Sequence, residues 1–125
     1  MTVRECITIV DSMKPNQFGD VEKIRWLDQL DRSIYINIIQ THEMKPGEVE
    51  TMFGGYTEDN MDAVLLAQPP HDVLYEAYLK MKIDEENGET ARYNNSVEIY
   101  NLHYGEYAKW YNRTHMPVGT QLRIF

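Results

Sequence analysis

TARYNNSVEIYNLHYGEYAKWYNR, residues 90–113, is the stretch whose reading decides the fold. Within it Tyr93, Val97, Tyr100, Tyr104, Tyr107 and Tyr111 recur at gaps of four, three, four, three and four. On an α-helix that spacing lines the six side chains along one narrow stripe. Just upstream, Asn87-Gly88 has the chemistry of a helix stop, with glycine free to take left-handed geometry. Before it a second periodic apolar run extends from Val73 to Ile83. Two helices joined by so short a turn must lie back to back. This hairpin is the expected centre of the molecule.

The first helix of the hairpin is expected to start at Pro70, where a missing N–H does no harm. Leu74, Ala77, Tyr78 and Met81 form one stripe on it, and Tyr75, Leu79 and Ile83 form a second. Glu76 and Lys80 sit at i, i+4 on the remaining polar face. A helix apolar on two sides is either central in a bundle or shared with a neighbouring molecule. The last helix carries Ile99 and Trp110 roughly 100° round its axis from the tyrosines. Tyrosine hydroxyls need a partner or water. The stripe therefore reads as a wet-rimmed internal core, or as part of a subunit interface together with the Ile99/Trp110 side. Gly105 in mid-helix costs about 1 kcal/mol against alanine, and close approach of another backbone would account for it.

Working back to the start, Thr2-Val3-Arg4-Glu5 has the spacing of a capping box, and Val3, Cys6, Ile7 and Val10 then share a face. Lys14-Pro15 ends that helix, because proline disfavours helical geometry at the residue before it. Cys6 on the apolar face is expected to be an inert buried thiol. A second helix is predicted from Gly19-Asp20, with Asp20 as cap, to about Thr41. Its stripe is Ile24, Leu27, Asp31, Ile34, Tyr35 and Ile38, with Trp26 and Leu30 on another face. Asp31 is expected at the stripe's edge, paired with a base such as Arg32 or Lys14.

From about 43 to 68 the helical pattern fails. Lys45-Pro46-Gly47 and Gly54-Gly55 are turn chemistry. So long an irregular stretch is usually functional or disordered. Met52, Phe53 and Tyr56 are expected to tack it to the body, and Met61 to Ala67 reads as a short helix or an extended stretch. Beyond Met116-Pro117 the chain closes with Gln121-Leu122-Arg123-Ile124-Phe125, read as a short strand or docking tail. The predicted fold is all-α: a small four-helix, bundle-like single domain with a long loop and an extended C-terminal tail. The candidate interface comprises Tyr75, Leu79, Ile83, Ile99, Trp110, Leu122, Ile124 and Phe125.

The net charge of −8 argues against nucleic acid held through its phosphates and against an anionic membrane surface. No run approaches the roughly 20 apolar residues of a membrane span, and no signal peptide is visible. One cysteine forms no internal disulfide. There is no glycine-rich phosphate loop and no Cys-x-x-Cys, and His42-Glu43 lacks the second histidine of a zinc-protease motif. Asp84, Glu85, Glu86 and Glu89 cluster at the hairpin turn and read as a solvated rim. No catalytic residue, metal or cofactor is expected.

Scattered patterns in both halves carry a resemblance. In the first half they are Lys14-Pro15-Asn16, Lys23 to Leu27, Leu30-Asp31 and Thr41-His42. In the second they are Leu74-Tyr75, Tyr78-Leu79, Ile83-Asp84, Glu89, Arg92 to Asn95 and Trp110 to Arg113. These resemble the head–tail connector, or head-completion adaptor, proteins of tailed phages and prophages of Gram-positive bacteria. The likeness covers most of residues 1–42 and 65–117. It implies an all-α body assembling as a ring on the portal, self-association that occurs only there or also in isolation, and a tail-side connector as the next partner. DNA would pass through without specific binding. The protein would reside in the host cytoplasm before assembly and in the virion afterwards. Two other readings stay open: a monomeric acidic interaction module encoded by a prophage, and an enzyme with an acidic metal site around Asp84 to Glu89.

Overall fold

The computed structural model describes residues 1–118. Four α-helices appear among them: α1 Val3–Met13, α2 Asp20–Ile34, α3 Val73–Glu86 and α4 Thr90–Thr114. The fold is all-α, with only two isolated bridges, Thr2 to Val64 and His42 to Pro117, among the described residues. Leu122, Ile124 and Phe125 lie outside the described residues.

α1 starts as its first four residues dictate. The Thr2 hydroxyl accepts from the Glu5 N–H at 3.1 Å, and Glu5 Oε1 accepts from the Thr2 N–H at 2.8 Å. Val3, Cys6, Ile7 and Val10 are buried on its inner face. Burial pushes the Cys6 thiol far above its ordinary range, so it stays an inert apolar group. α2 corrects the expected cap: Gly19, in extended geometry, is the N-cap, and Asp20 is the first helical residue, favourable near the positive end of the dipole. The helical run continues past Ile34 as one wider π-turn, Tyr35–Ile39, closed by the Gln40 N–H donating to the Tyr35 carbonyl at 2.8 Å.

α3 begins three residues later than proline chemistry indicates. Pro69 and Pro70 lie in a preceding turn, and Asp72 is the N-cap of a helix that starts at Val73. α3 and α4 form the hairpin, closed by Gly88 at φ +70° with its N–H donating to the Glu85 carbonyl at 3.1 Å. α1 and α2 pack on one side of α3 and α4 on the other. α3 is therefore central in the bundle, which explains its two apolar stripes. This corrects three interface candidates: Tyr75, Leu79 and Ile83 are 0% exposed, enclosed by this chain's own core.

α4 packs through the predicted stripe, yet only Tyr107 is fully buried; Tyr93, Tyr100, Tyr104 and Tyr111 are half-covered. Tyr100 stands 5.2 Å from the Tyr78 ring and 5.8 Å from Tyr104. The result is an internal seam with a wet rim. No atom comes within 4 Å of a Cβ placed on Gly105, so close backbone approach within the chain does not account for that glycine.

Candidate interaction surfaces

The long loop is anchored through one buried carboxylate. Asp31 on α2 is 0% exposed and pairs with no base among the described residues. Its Oδ1 accepts from the Tyr75 hydroxyl of α3 at 2.6 Å. Its Oδ2 accepts from the Tyr56 hydroxyl and from the Leu66 N–H at 3.0 Å, both in the loop. The Ala67 N–H donates to the Tyr75 hydroxyl at 2.7 Å, extending the network by one bond. Burial raises the Asp31 pKa, and the hydrogen bonds from Tyr56, Tyr75 and Leu66 offset only part of that rise. The bases expected beside Asp31 are engaged elsewhere. Arg32 pairs with Asp28 at 3.2 Å. Lys14 Nζ sits 2.7 Å from Asp84 Oδ1, in an ion pair without hydrogen-bond alignment.

Further contacts fix the second half of the loop. Asp28 Oδ1 accepts from the Tyr56 N–H at 2.9 Å, and Arg32 lies over the Phe53 ring at 5.2 Å. After a turn at Met61 and Asp62, residues 63–65 run beside the N-terminus: the Val3 N–H donates to the Ala63 carbonyl at 3.1 Å, and the Leu65 N–H to the Met1 carbonyl at 2.9 Å. Phe53 and Tyr56 tack the loop down as expected, whereas Met52 does not; it is 74% exposed.

Residues 43–52 stand off the body as a small strap. Lys45-Pro46-Gly47-Glu48 makes the turn that proline followed by glycine favours, with Gly47 at φ +83° and the Glu48 N–H donating to the Lys45 carbonyl at 3.0 Å. The strap is tied to the end of α4. The Glu43 N–H donates to the Met116 carbonyl at 2.7 Å, and the buried His115 ring holds Glu48 Oε2 through Nε2 at 3.0 Å. Burial pushes the Glu48 carboxyl up, but hydrogen bonds from His115 and the Lys45 N–H outweigh it and leave the pKa lowered. His115 stacks flat on Tyr111, with ring centroids 3.8 Å apart.

Between the strap, the π-turn and α4 opens a cleft of about 450 Å³ walled by Tyr35, His42, Glu48, Glu50, Thr51 and Tyr111. The His42 ring stands between the Ile38 carbonyl, 2.6 Å from Nδ1, and the Asn112 side-chain amide, 2.6 Å from Nε2. A neutral ring that donates from Nδ1 must accept at Nε2, so the Asn112 amide then presents its NH2 group there. Met44 lines the cleft and is 53% exposed, and elsewhere on the strap Val49 and Met52 are 85% and 74% exposed.

A second apolar surface lies on the outer face of α4, where Ile99 and Leu102 are 45% and 59% exposed. Trp110 is half-buried in an aromatic cluster, 5.0 Å from His71 and 6.1 Å from Tyr107. Lys45 lies over its ring at 5.8 Å. The acidic turn is a solvated rim at Glu85, Glu86 and Glu89, which are exposed, but not at Asp84. Asp84 is buried and accepts from the Ser96 hydroxyl at 2.6 Å, while Glu85 pairs with Lys82 and Glu89 with Arg92. Among the described residues no group of three or more His, Cys, Asp or Glu is placed to hold a metal ion, and no helix is long and apolar enough to cross a membrane.

Of these exposed apolar residues, Ile99 was among the expected interface candidates, and Met44, Val49 and Leu102 were not. The only signal for the first two was the presence of large apolar residues in a stretch with no period to bury them. No family model, curated protein or solved structure matches the chain.

Proposed function

We propose that the chain is a structural virion protein that joins portal to tail as a ring of identical subunits and completes the DNA channel, without a reaction of its own. The observation that carries this reading is a pair of exposed apolar surfaces on separate parts of the subunit. One is Ile99 with Leu102, and the other is the strap with Met44, Val49 and Met52. Leu102 and the strap's anchor at His115 are about 20 Å apart along α4, at 1.5 Å per residue. A ring built head to tail needs two different patches on each copy. The net charge of −8 suits a channel past which DNA slides without adhering. The portal and a tail-side connector are the partners in this reading.

Light scattering of the chain alone and with the portal protein of the same genome tests it. A ring-sized species on the portal is expected, and Ile99→Asp or Val49→Asp should each prevent its formation while the monomer melts normally. A chain that stays monomeric and leaves the portal unbound overturns the reading in favour of a monomeric acidic module.

A further inference from the structure

We infer that the cleft beneath the strap is a docking site for an arginine side chain, presented by a partner protein on a segment with apolar residues on either side. Four observations converge on it. The cavity, about 450 Å³, is large enough for a long side chain together with part of its backbone. Among the described residues its lining includes two carboxylates, Glu48 and Glu50, and neither lysine nor arginine. Glu48 keeps its charge readily, because the hydrogen bonds from His115 and the Lys45 N–H favour the ionised form. The ammonium of Lys45, on the strap, lies over Trp110.

The walls fit the same ligand. Tyr35 and Tyr111 are among the lining residues, and a guanidinium packs against aromatic rings better than a hydrated ammonium does. Ile39 and Met44 at the cleft's rim, the latter 53% exposed, would cover the apolar neighbours of that arginine. Charge thus selects the cation, the rings favour arginine over lysine, and the rim asks for a peptide rather than a free ion. Nucleic acid is excluded by the sign of the charge. The inference goes beyond the connector reading and stands apart from it, since it requires no ring.

The test uses the full chain, labelled with nitrogen-15, and the blocked peptide acetyl-Gly-Leu-Arg-Leu-Gly-amide as probe. The amide signals of Tyr35, His42, Glu50, Thr51 and Tyr111 are expected to shift saturably at millimolar peptide. Replacing the peptide's arginine with citrulline, or the chain's Glu50 with Gln, should weaken binding about tenfold, the loss typical of one charge-assisted hydrogen bond. Four outcomes overturn the inference: no saturable shift, equal binding of the citrulline peptide, shifts confined to another surface, and binding that appears only in Arg123→Gln. The last would show that the chain's own arginine, and not a partner's, fills the cleft.

Discussion

Tyr75 and Asp31, 44 positions apart in the chain, meet in the centre of the molecule with the phenol hydroxyl donating to Oδ1 at 2.6 Å. Neither group is exposed to solvent. The contact joins α2 to α3, and through Tyr56 and Leu66 the same carboxylate holds the loop that crosses them. A carboxylate with no basic partner among the described residues is expensive to bury, so the network holds only while all its donors are in place.

Asp31→Asn tests that dependence. Whichever way the amide turns, at least one donor loses its acceptor: Tyr75 if the NH2 group takes the place of Oδ1, Tyr56 and Leu66 if it takes that of Oδ2. Leaving one buried polar group unpaired costs about 1–3 kcal/mol. Part of this is recovered at neutral pH, because the variant no longer buries a charge. The Asp31 pKa is raised above 3.8. Between 3.8 and the raised value the folded state binds more protons than the unfolded chain, so this group's contribution to stability falls as pH rises. The stability gap between wild type and Asp31→Asn should therefore widen as pH is lowered from neutral, measured by urea melts at several pH values. A gap independent of pH would show that the carboxyl is not buried as described.

Glu48 should behave in the opposite sense. Its pKa is lowered from 4.5, so its tie to His115 holds above that value and is lost as pH falls through the folded pKa. Glu48→Gln should speed amide hydrogen exchange at Lys45 and Glu48 at neutral pH with little change in melting temperature, because the strap carries little of the core. Acidifying the wild type well below 4.5 should bring its exchange toward that of the variant.

Gly55 and Gly54 give a paired test of backbone strain. Gly55 has φ +88°, and a Cβ there would lie 3.0 Å from Asp28 Oδ1 and 3.1 Å from Arg32 Nη2. Gly55→Ala should destabilise by about 1–2 kcal/mol through left-handed geometry alone, and further by displacing the Asp28 carboxylate from the Tyr56 N–H. Gly54→Ala, with nothing within 4 Å of its Cβ, should be neutral or slightly stabilising. Thermal melts of the two variants in parallel make the comparison.

Gly105→Ala separates folding from assembly. The position is in the interior of α4 with open space around a Cβ, so alanine should stabilise the isolated chain by about 1 kcal/mol. If a neighbouring subunit's backbone approaches α4 there, the same change should weaken the ring on the portal. Equal assembly by both forms would place that contact elsewhere.

What could be read in advance and what could not divides along the distance between partners. The capping box at Thr2 and Glu5, the hairpin stop at Gly88 and the tyrosine stripe of α4 were all legible. Each depends on residues no more than a few positions apart, where helical geometry fixes who meets whom. Two apolar sides of α3 were legible too, but not what covers them. Periodicity marks a face for burial without saying whether the cover is α1, α2, α4 or another molecule, and Tyr75, Leu79 and Ile83 turned inward for that reason.

The sequence by itself determined four helices, their starts and stops to within a few residues, and an irregular stretch between the second and third. The tertiary structure alone decided that Asp31 is a buried hub and that Lys23 is buried with its ammonium 2.7 Å from Asp11. It also decided that the loop divides into an anchored half and an exposed strap over a cleft. The physical reason is that helix formation is settled by neighbours along the chain. The environment of a charge depends on groups brought to it from tens of residues away, and no spacing in the chain encodes them.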